Sequence, residues 1–379
     1  MLGFDRSLAA TPHPGVRASD GSRSLIGRRF SMEASTLAVE LKPWQVSSKL
    51  FPGRDAHPNL ILRSFVHWAV LAPSSMNTQP WWFRTEDGVL ELHADRTRAL
   101  PVSDPNDREL TIACGAALFN LCIACRHFGF LPIVERFPDA KTPDLLATIR
   151  LGVRQDPTGD ENRLFVSIPR RRTHGMPFDE KPIEESVLHS LEQCTKAEHA
   201  WCHVVADFST KHQIAELVAE SDRVQFQDRR YRRELALWSH PNRSHSKDGM
   251  PGHERGIGDL ASILDPFILR FLNTGASEAR KDHRLAKLAP ALAVIGTAGD
   301  SPFDWLHAGE ALEHALLVAT SAGYSASFLN QPMHLDAMRP KLAKLLDERG
   351  HPQMLIRLGH GKEVKPTPRR CVEEVMRVT

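Results

Sequence analysis

Ten residues, Ala72-Pro-Ser-Ser-Met-Asn-Thr-Gln-Pro-Trp81, bring hydroxyls, carboxamides, two prolines and a tryptophan together without a single charge. Ser74, Ser75, Asn77 and Gln79 each offer hydrogen-bonding groups on a small head, with Pro73 beside them. Such a set suits a flat ligand edge that alternates C=O, N–H and C=O, as the pyrimidine edge of a flavin does. Neutral partners matter there, because a fixed charge beside the ring shifts its redox potential strongly. The alternative is a capping turn, with Ser-Ser opening a helix and Pro-Trp pinning it to the core.

A second cluster, Arg170-Arg-Arg-Thr-His174, precedes Pro177-Phe178 and a helix expected from Pro182. Arginine forks and a hydroxyl beside a helix start are what a phosphate monoester needs. Arg369-Arg370, after Pro366-Thr-Pro368, could close the same pocket. For either cluster taken alone, an exposed basic loop is the alternative.

The elements that must position these groups occur twice. Residues 110–128 are apolar on almost every face and end at Gly129, which predicts a helix buried all round. The stretch Gly309–Gly323 repeats the plan: Gly115 and Gly309, Ala117 and Ala311, Leu118 and Leu312, and Gly129 and Gly323 match at one offset. Ile-Arg-Leu-Gly follows each helix, at Ile149–Gly152 and Ile356–Gly359, closing strands expected at Leu145–Leu151 and Met354–Leu358. Val89–Leu92 and Leu292–Ile295 read as strands before the two helices. Recurrence of both parts in the same order points to duplication. Leu60–Ala72 reads as an amphipathic helix carrying the neutral loop, ended by Pro73.

The fold class that follows is α+β: two copies, each an antiparallel-dominated sheet flanked by helices, joined through the two apolar helices. Residues 1–45 read as a disordered or extended tail, 46–155 as the first lobe and 165–379 as the second. The tail faintly resembles a transit peptide, with five arginines against Asp5 and Asp20 in its first 32 residues. Residues 239–258, polar and rich in Gly, Pro and His, form a lid-like insertion in the second lobe.

With 379 residues, 41% apolar, the chain can bury a large core, and a net charge of +2 argues against nucleic-acid or membrane attraction. No run of eighteen apolar residues occurs. Six sparse cysteines suit a reducing cytoplasm. Cys122-Ile-Ala-Cys125 has redox spacing, but inside an apolar helix the thiols read as small hydrophobes. No metal is expected, either from His240, His245 and His253 or from His307, Glu310, Glu313 and His314.

The string APSSMNTQPWWF resembles the flavin-contacting loop of the nitroreductase family. Arg171-Arg-Thr173 is similar to that family's N-terminal Arg-Arg-Ser phosphate motif, and LIRLGHG followed by TPRR to its C-terminal end. Ordinary members are homodimers whose FMN sites take one motif from each subunit. Here the second copy has the arginines, but KAEHAWCHV stands where its loop should be. The first copy has the loop, while its only earlier double arginine, Arg28-Arg29, lies too far upstream. This division resembles the fused-dimer, Acg-type branch, as do Ala94–Arg98 and Ser103–Pro105.

The resemblance implies tightly bound FMN, with its phosphate on Arg171, Arg172, Thr173 and Arg370 and its ring against Pro73, Ser74, Ser75, Asn77 and Gln79. Ser327, Phe328 and Leu329 would address the N5 region. One departure is Gly175, where the family has a basic residue. No side chain need be catalytic, since flavin N5 carries the hydride from transient NAD(P)H to a small-molecule nitroaromatic, quinone or similar acceptor. No GxGxxG follows a strand, so the nicotinamide would dock in the open cleft. A monomer would act as a pseudo-dimer, without nucleic acid or membrane. The alternative function is a flavin-binding or sequestering protein with little turnover, its lid shutting out the nicotinamide.

Overall fold

The duplicated pattern becomes two four-stranded antiparallel sheets of the same plan in a computed structural model that describes residues 43–377. In the first, β1 (Trp81–Glu86), β2 (Val89–Ala94), β4 (Leu145–Arg154) and β3 (Phe130–Arg136) lie side by side in the order β1-β2-β4-β3. In the second, β5 (Trp201–Val205), β8 (Ala291–Thr297), β10 (His351–Gly359) and β9 (Ser325–Phe328) repeat it as β5-β8-β10-β9. The two Ile-Arg-Leu-Gly tetrapeptides thus occupy equivalent central strands, β4 and β10.

The chain runs from α1 (Pro58–Ala69) through the first sheet, with α2 (Arg108–His127) between β2 and β3, to α3 (Gly159–Ser167) and α4 (Glu185–Ala197). The first lobe turns from β1 to β2 through Asp87-Gly88, both at positive φ. At the equivalent point between β5 and β8 the second lobe carries a long insertion. It comprises α5 (Phe208–Gln227), α6 (Arg229–Leu237), the short parallel pair β6 (Ser239–His240) and β7 (Met250–Pro251), α7 (Asp259–Phe271) and α8 (Gly275–Leu288). The polar stretch 239–258 is therefore the middle of a mostly helical insertion. α9 (Pro302–Ser321), α10 (Arg339–Leu345) and α11 (Val372–Val375) complete the chain.

α2 and α9 pack on each other between the sheets, and two glycines set how closely. A Cβ on Gly115 would lie 2.1 Å from the Leu306 carbonyl oxygen, and one on Gly309 would lie 2.0 Å from that of Ile112. Backbone meets backbone at this crossing, so no side chain fits. α2 is long and apolar enough to span a bilayer by length and composition, but it is buried in the core. Polar groups on α9 make contacts between the lobes. Arg136 of β3 donates to both carboxylate oxygens of Glu310 at 2.9 and 2.7 Å, and His314 stacks on Phe119. Burial pushes the Cys125 thiol up to about 12 and that of Cys122 well above its usual value, as suits packing rather than redox work.

Two expected boundaries shift. α1 begins at Pro58 and gives way after Ala69 to tighter turns, with Leu71 N–H donating to Trp68 O and Ala72 N–H to Ala69 O; Leu60 faces solvent. Residues 43–45, assigned to the tail, form a 3₁₀ turn that packs Trp44 into the molecule. The rest of that tail, with Arg28-Arg29, lies outside the described residues.

Gly309→Ala should lower unfolding free energy by about 2–3 kcal/mol through overpacking at the crossing. Gly258→Ala, with open space around its Cβ, should change it by less than about 0.5 kcal/mol. Urea unfolding of the two variants checks this; equal midpoints would refute the close crossing.

Candidate functional site

The loop after α1 is strained. Met76, Asn77 and Gln79 all have positive φ, at 49°, 53° and 51°, a region that costs side-chain-bearing residues on the order of 1–3 kcal/mol each. Its shape is fixed by contacts from distant parts of the chain. Arg369 Nη1 donates to Asn77 Oδ1 at 2.6 Å, while Asn77 Nδ2 donates to the carbonyls of Gly249 at 2.9 Å and Pro368 at 3.1 Å. Gln79, fully buried, donates to Lys247 O at 2.8 Å and accepts from the Arg370 N–H at 2.8 Å. Arg98 reaches Thr78 O and Asp248, so Ala94–Arg98 also braces the loop.

Around this loop lies a cavity of about 300 Å³. Pro73, Ser74, Ser75 and Asn77 form one wall, from the first lobe. Thr173, Ser327 and Phe328 line it from the second, and Arg369 from the C-terminal segment. Thr173 pairs with Ala326 as a parallel bridge at the edge of β9, and Met376 pairs with Phe83 of β1. The second of these bridges ties the C-terminal segment back to the first lobe.

Not every residue expected here reaches the cavity wall. Gln79 spends its amide on Lys247 and Arg370, behind the loop. Arg370 turns its guanidinium to Gln79 O at 3.2 Å and Glu374 O at 2.8 Å, so the neighbouring Arg369 lines the cavity in its stead. Leu329 lines an adjoining hollow. Arg171 and Arg172 stand behind Thr173 with Arg369, and all three guanidinium groups surround Trp44, at 5.9, 4.2 and 4.9 Å from its ring centroid.

Two of these arginines are buried and incompletely bonded. Arg171 donates through Nη2 to Leu71 O at 2.9 Å, and its Nε lies 3.6 Å from Glu313 without a hydrogen bond; Arg369 Nε has no partner either. Burial lowers both arginines' pKa values, although they remain cations at neutral pH. Unfilled donors on buried cations beside a hydroxyl are the features of an anion site. The helical insertion supplies a further carboxyl group. Glu254 lines the cavity and is acted on by Arg369 and Arg171, yet burial outweighs them and lifts it to about 7. Where the resemblance led to a basic residue, Gly175 leaves room for the lid: a Cβ there would lie 1.9 Å from the Glu254 carbonyl oxygen.

The loop is neutral, but its surroundings are not. Buried Glu109 accepts from Ser75 Oγ and lies 2.9 Å from His334 Nε2, with Arg108 at 3.2 Å. Burial alone would raise Glu109, but His334, Arg108 and Ser75 hold it down to about 2. Burial would lower His334, and the Glu109 carboxylate raises it instead. An ion pair therefore backs Ser75. Sequence spacing could not reveal it, because Glu109 and His334 belong to different lobes. Arg369 was in view as one of an adjacent pair, and only the turn of the backbone decides which of the two faces inward.

No family model matches the chain. Whole-length similarity is nonetheless extensive. "Putative NAD(P)H nitroreductase Rv3131" of Mycobacterium tuberculosis is 30% identical over 347 residues, covering 90% of this chain and 96% of that one. "Putative NAD(P)H nitroreductase acg" of the same organism is 29% identical over 324 residues, covering 84% and 96%. Among solved structures, the FMN and NADPH-dependent nitroreductase NfnB of a Sphigopyxis strain covers 57% of this chain and 98% of its own, with 14% identity and a TM-score of 0.38. A Bacteroides fragilis nitroreductase with bound FMN covers 53% and 91%, with 15% identity and a TM-score of 0.34. On the breadth of its similarity to the mycobacterial relatives, this chain belongs to the nitroreductase family.

Proposed function

We propose that the protein is an FMN-dependent oxidoreductase with one flavin site per chain, its two lobes acting as the subunits of a pseudo-dimer. The observation that carries this reading is the cavity built jointly from Ser74–Asn77 of one lobe and Thr173 of the other, with the unfilled Nε donors of Arg171 and Arg369 close by. Those residues fit a flavin mononucleotide: cations and a hydroxyl for its phosphate, and Pro73, Ser74 and Ser75 for its ring. The chemistry that a bound flavin supplies is two-electron transfer from NAD(P)H to a nitroaromatic, quinone or similar acceptor. Relatives named as NAD(P)H nitroreductases support the same donor.

The remaining work falls to the chain. Arg171 and Arg369 hold the anion, with Arg172 adding field at their side. Ser75, fixed by Glu109, keeps one hydroxyl at the wall, and His334, whose pKa the Glu109 carboxylate raises, lines the cavity beside it. The lid excludes water where Met250 and Glu254 line the cavity. Its closeness to the loop favours a second reading, a flavin-sequestering protein that the nicotinamide cannot enter.

Fluorescence titration of the apoprotein with FMN separates the adjacent arginines. Arg369→Ala should weaken binding by about tenfold to a hundredfold, the worth of a charge-assisted contact. Arg370→Ala should stay within about threefold. The reverse order would remove the assigned phosphate grip.

The same titration has a pH signature. Above about 7, Glu254 ionises beside the arginines and competes with the phosphate, so affinity should fall a few fold between pH 7 and 8.5. Glu254→Gln should flatten that dependence; an unchanged slope would take Glu254 out of the anion site.

Anaerobic NADPH added to the flavin-loaded protein should bleach its visible absorbance. Colour that persists with NADH and NADPH yet fades with dithionite would favour sequestration over turnover.

A further inference from the structure

Beside the main cavity lies a second hollow of about 240 Å³ whose chemistry the flavin reading does not use. The two share a wall that includes Tyr231, Met250, Glu254, Ser327, Phe328 and Gln331. Beyond that wall the hollow is acidic. Asp222 enters from α5, and Glu278 and Asp282 from α8. Asp222 is 2% exposed, and its Oδ2 has no hydrogen-bond partner. Asp282 accepts from Gln331 Nε2 at 2.5 Å.

Two cations, Lys281 and Arg357, line the hollow against these acids and both act on Asp282, leaving the acids in excess. Lys281 lies 3.8 Å from Glu278 at the half-exposed rim. Arg357 directs Nη1 to Met176 O at 3.0 Å and Nη2 to His174 O at 2.7 Å, and it stacks on Phe178. Glu254 adds a further carboxyl group to the shared wall. Burial and the neighbouring carboxylates of Asp282 and Glu278 push Asp222 up to about 8, and burial lifts Asp282 to about 6. The pair therefore retains a proton at neutral pH that an incoming cation would displace.

Burying more carboxyl groups than cations is costly, and amides in their place would relieve the cost. Such a cluster in a cleft is a mark of a binding site. Among the described residues, the one His/Cys/Asp/Glu group whose ligating atoms converge within 4.8 Å is His212, Glu216 and His283, outside this hollow. The three acids are too dispersed for a single metal ion. They suit an ammonium group on a short stem, with an attached ring against Tyr231 and Phe328.

We propose that this hollow binds the protonated amine of the electron acceptor, making the preferred acceptor an aromatic compound that bears a primary or secondary ammonium group. Its role as acceptor rests on the oxidoreductase reading above; the ammonium site itself does not.

Calorimetry tests it without turnover. 4-Nitrobenzylamine, 4-nitrobenzyl alcohol and 4-nitrobenzoate are titrated into the full-length protein at pH 7 with no reductant present. The amine should bind at least about tenfold tighter than the alcohol, and the benzoate more weakly than either. Amine binding should release protons, seen as a heat that varies with the buffer's ionisation enthalpy, whereas alcohol binding should not. The double variant D222N/D282N should bind amine and alcohol alike. Equal affinities in the wild type, or an amine preference that survives in D222N/D282N, would overturn the proposal. Should that variant fail to fold, amine binding to the wild type without proton release would overturn it equally. An amine preference in a protein that takes up no FMN would support the ammonium site and defeat the oxidoreductase reading instead.

Discussion

A strained loop held from afar is the constraint on which the site depends. Met76, Asn77 and Gln79 sit in left-handed conformations that local sequence does not favour, and hydrogen bonds from Arg369 and Arg370 and to the carbonyls of Gly249 and Lys247 offset the strain. Charge-assisted hydrogen bonds are worth about 1.5–3 kcal/mol each, comparable with the strain at one residue. The neutral groups at 74–77 are thus held by the C-terminal segment and by residues 247–249 of the helical insertion.

The frame that permits this arrangement is the crossing of α2 and α9. Gly115 and Gly309 let two buried helices touch at backbone distance, which brings the first sheet close enough for Arg136 of β3 to reach Glu310 of α9. Duplication supplies two equivalent lobes, and divergence then gives each a different task. One keeps a long loop between α1 and β1. The other shortens that connection, joining α4 to β5 within a few residues, and expands its β5–β8 connection into the helical insertion.

Much of this was legible in the sequence because it depends on local pattern. The repeated glycines and Ile-Arg-Leu-Gly tetrapeptides mark equivalent helices and strands, and the uncharged loop announces a polar wall. What was not legible depends on three-dimensional direction. Arg369 and Arg370 are neighbours of the same type, and backbone geometry alone sends one inward and the other to Glu374. The Glu109–His334 pair and the Asp222–Asp282 pair join residues far apart in the chain, so no spacing rule finds them. Gln79 has the right chemistry for a ligand, but the need to hold the strained loop claims it.

The central claim is that two unlike lobes complete one flavin site. Titration of the apoprotein with FMN, followed by quenching of flavin fluorescence, measures it directly. Saturation should come at one equivalent of FMN per chain; saturation at two, or no binding, would rule out a single shared site.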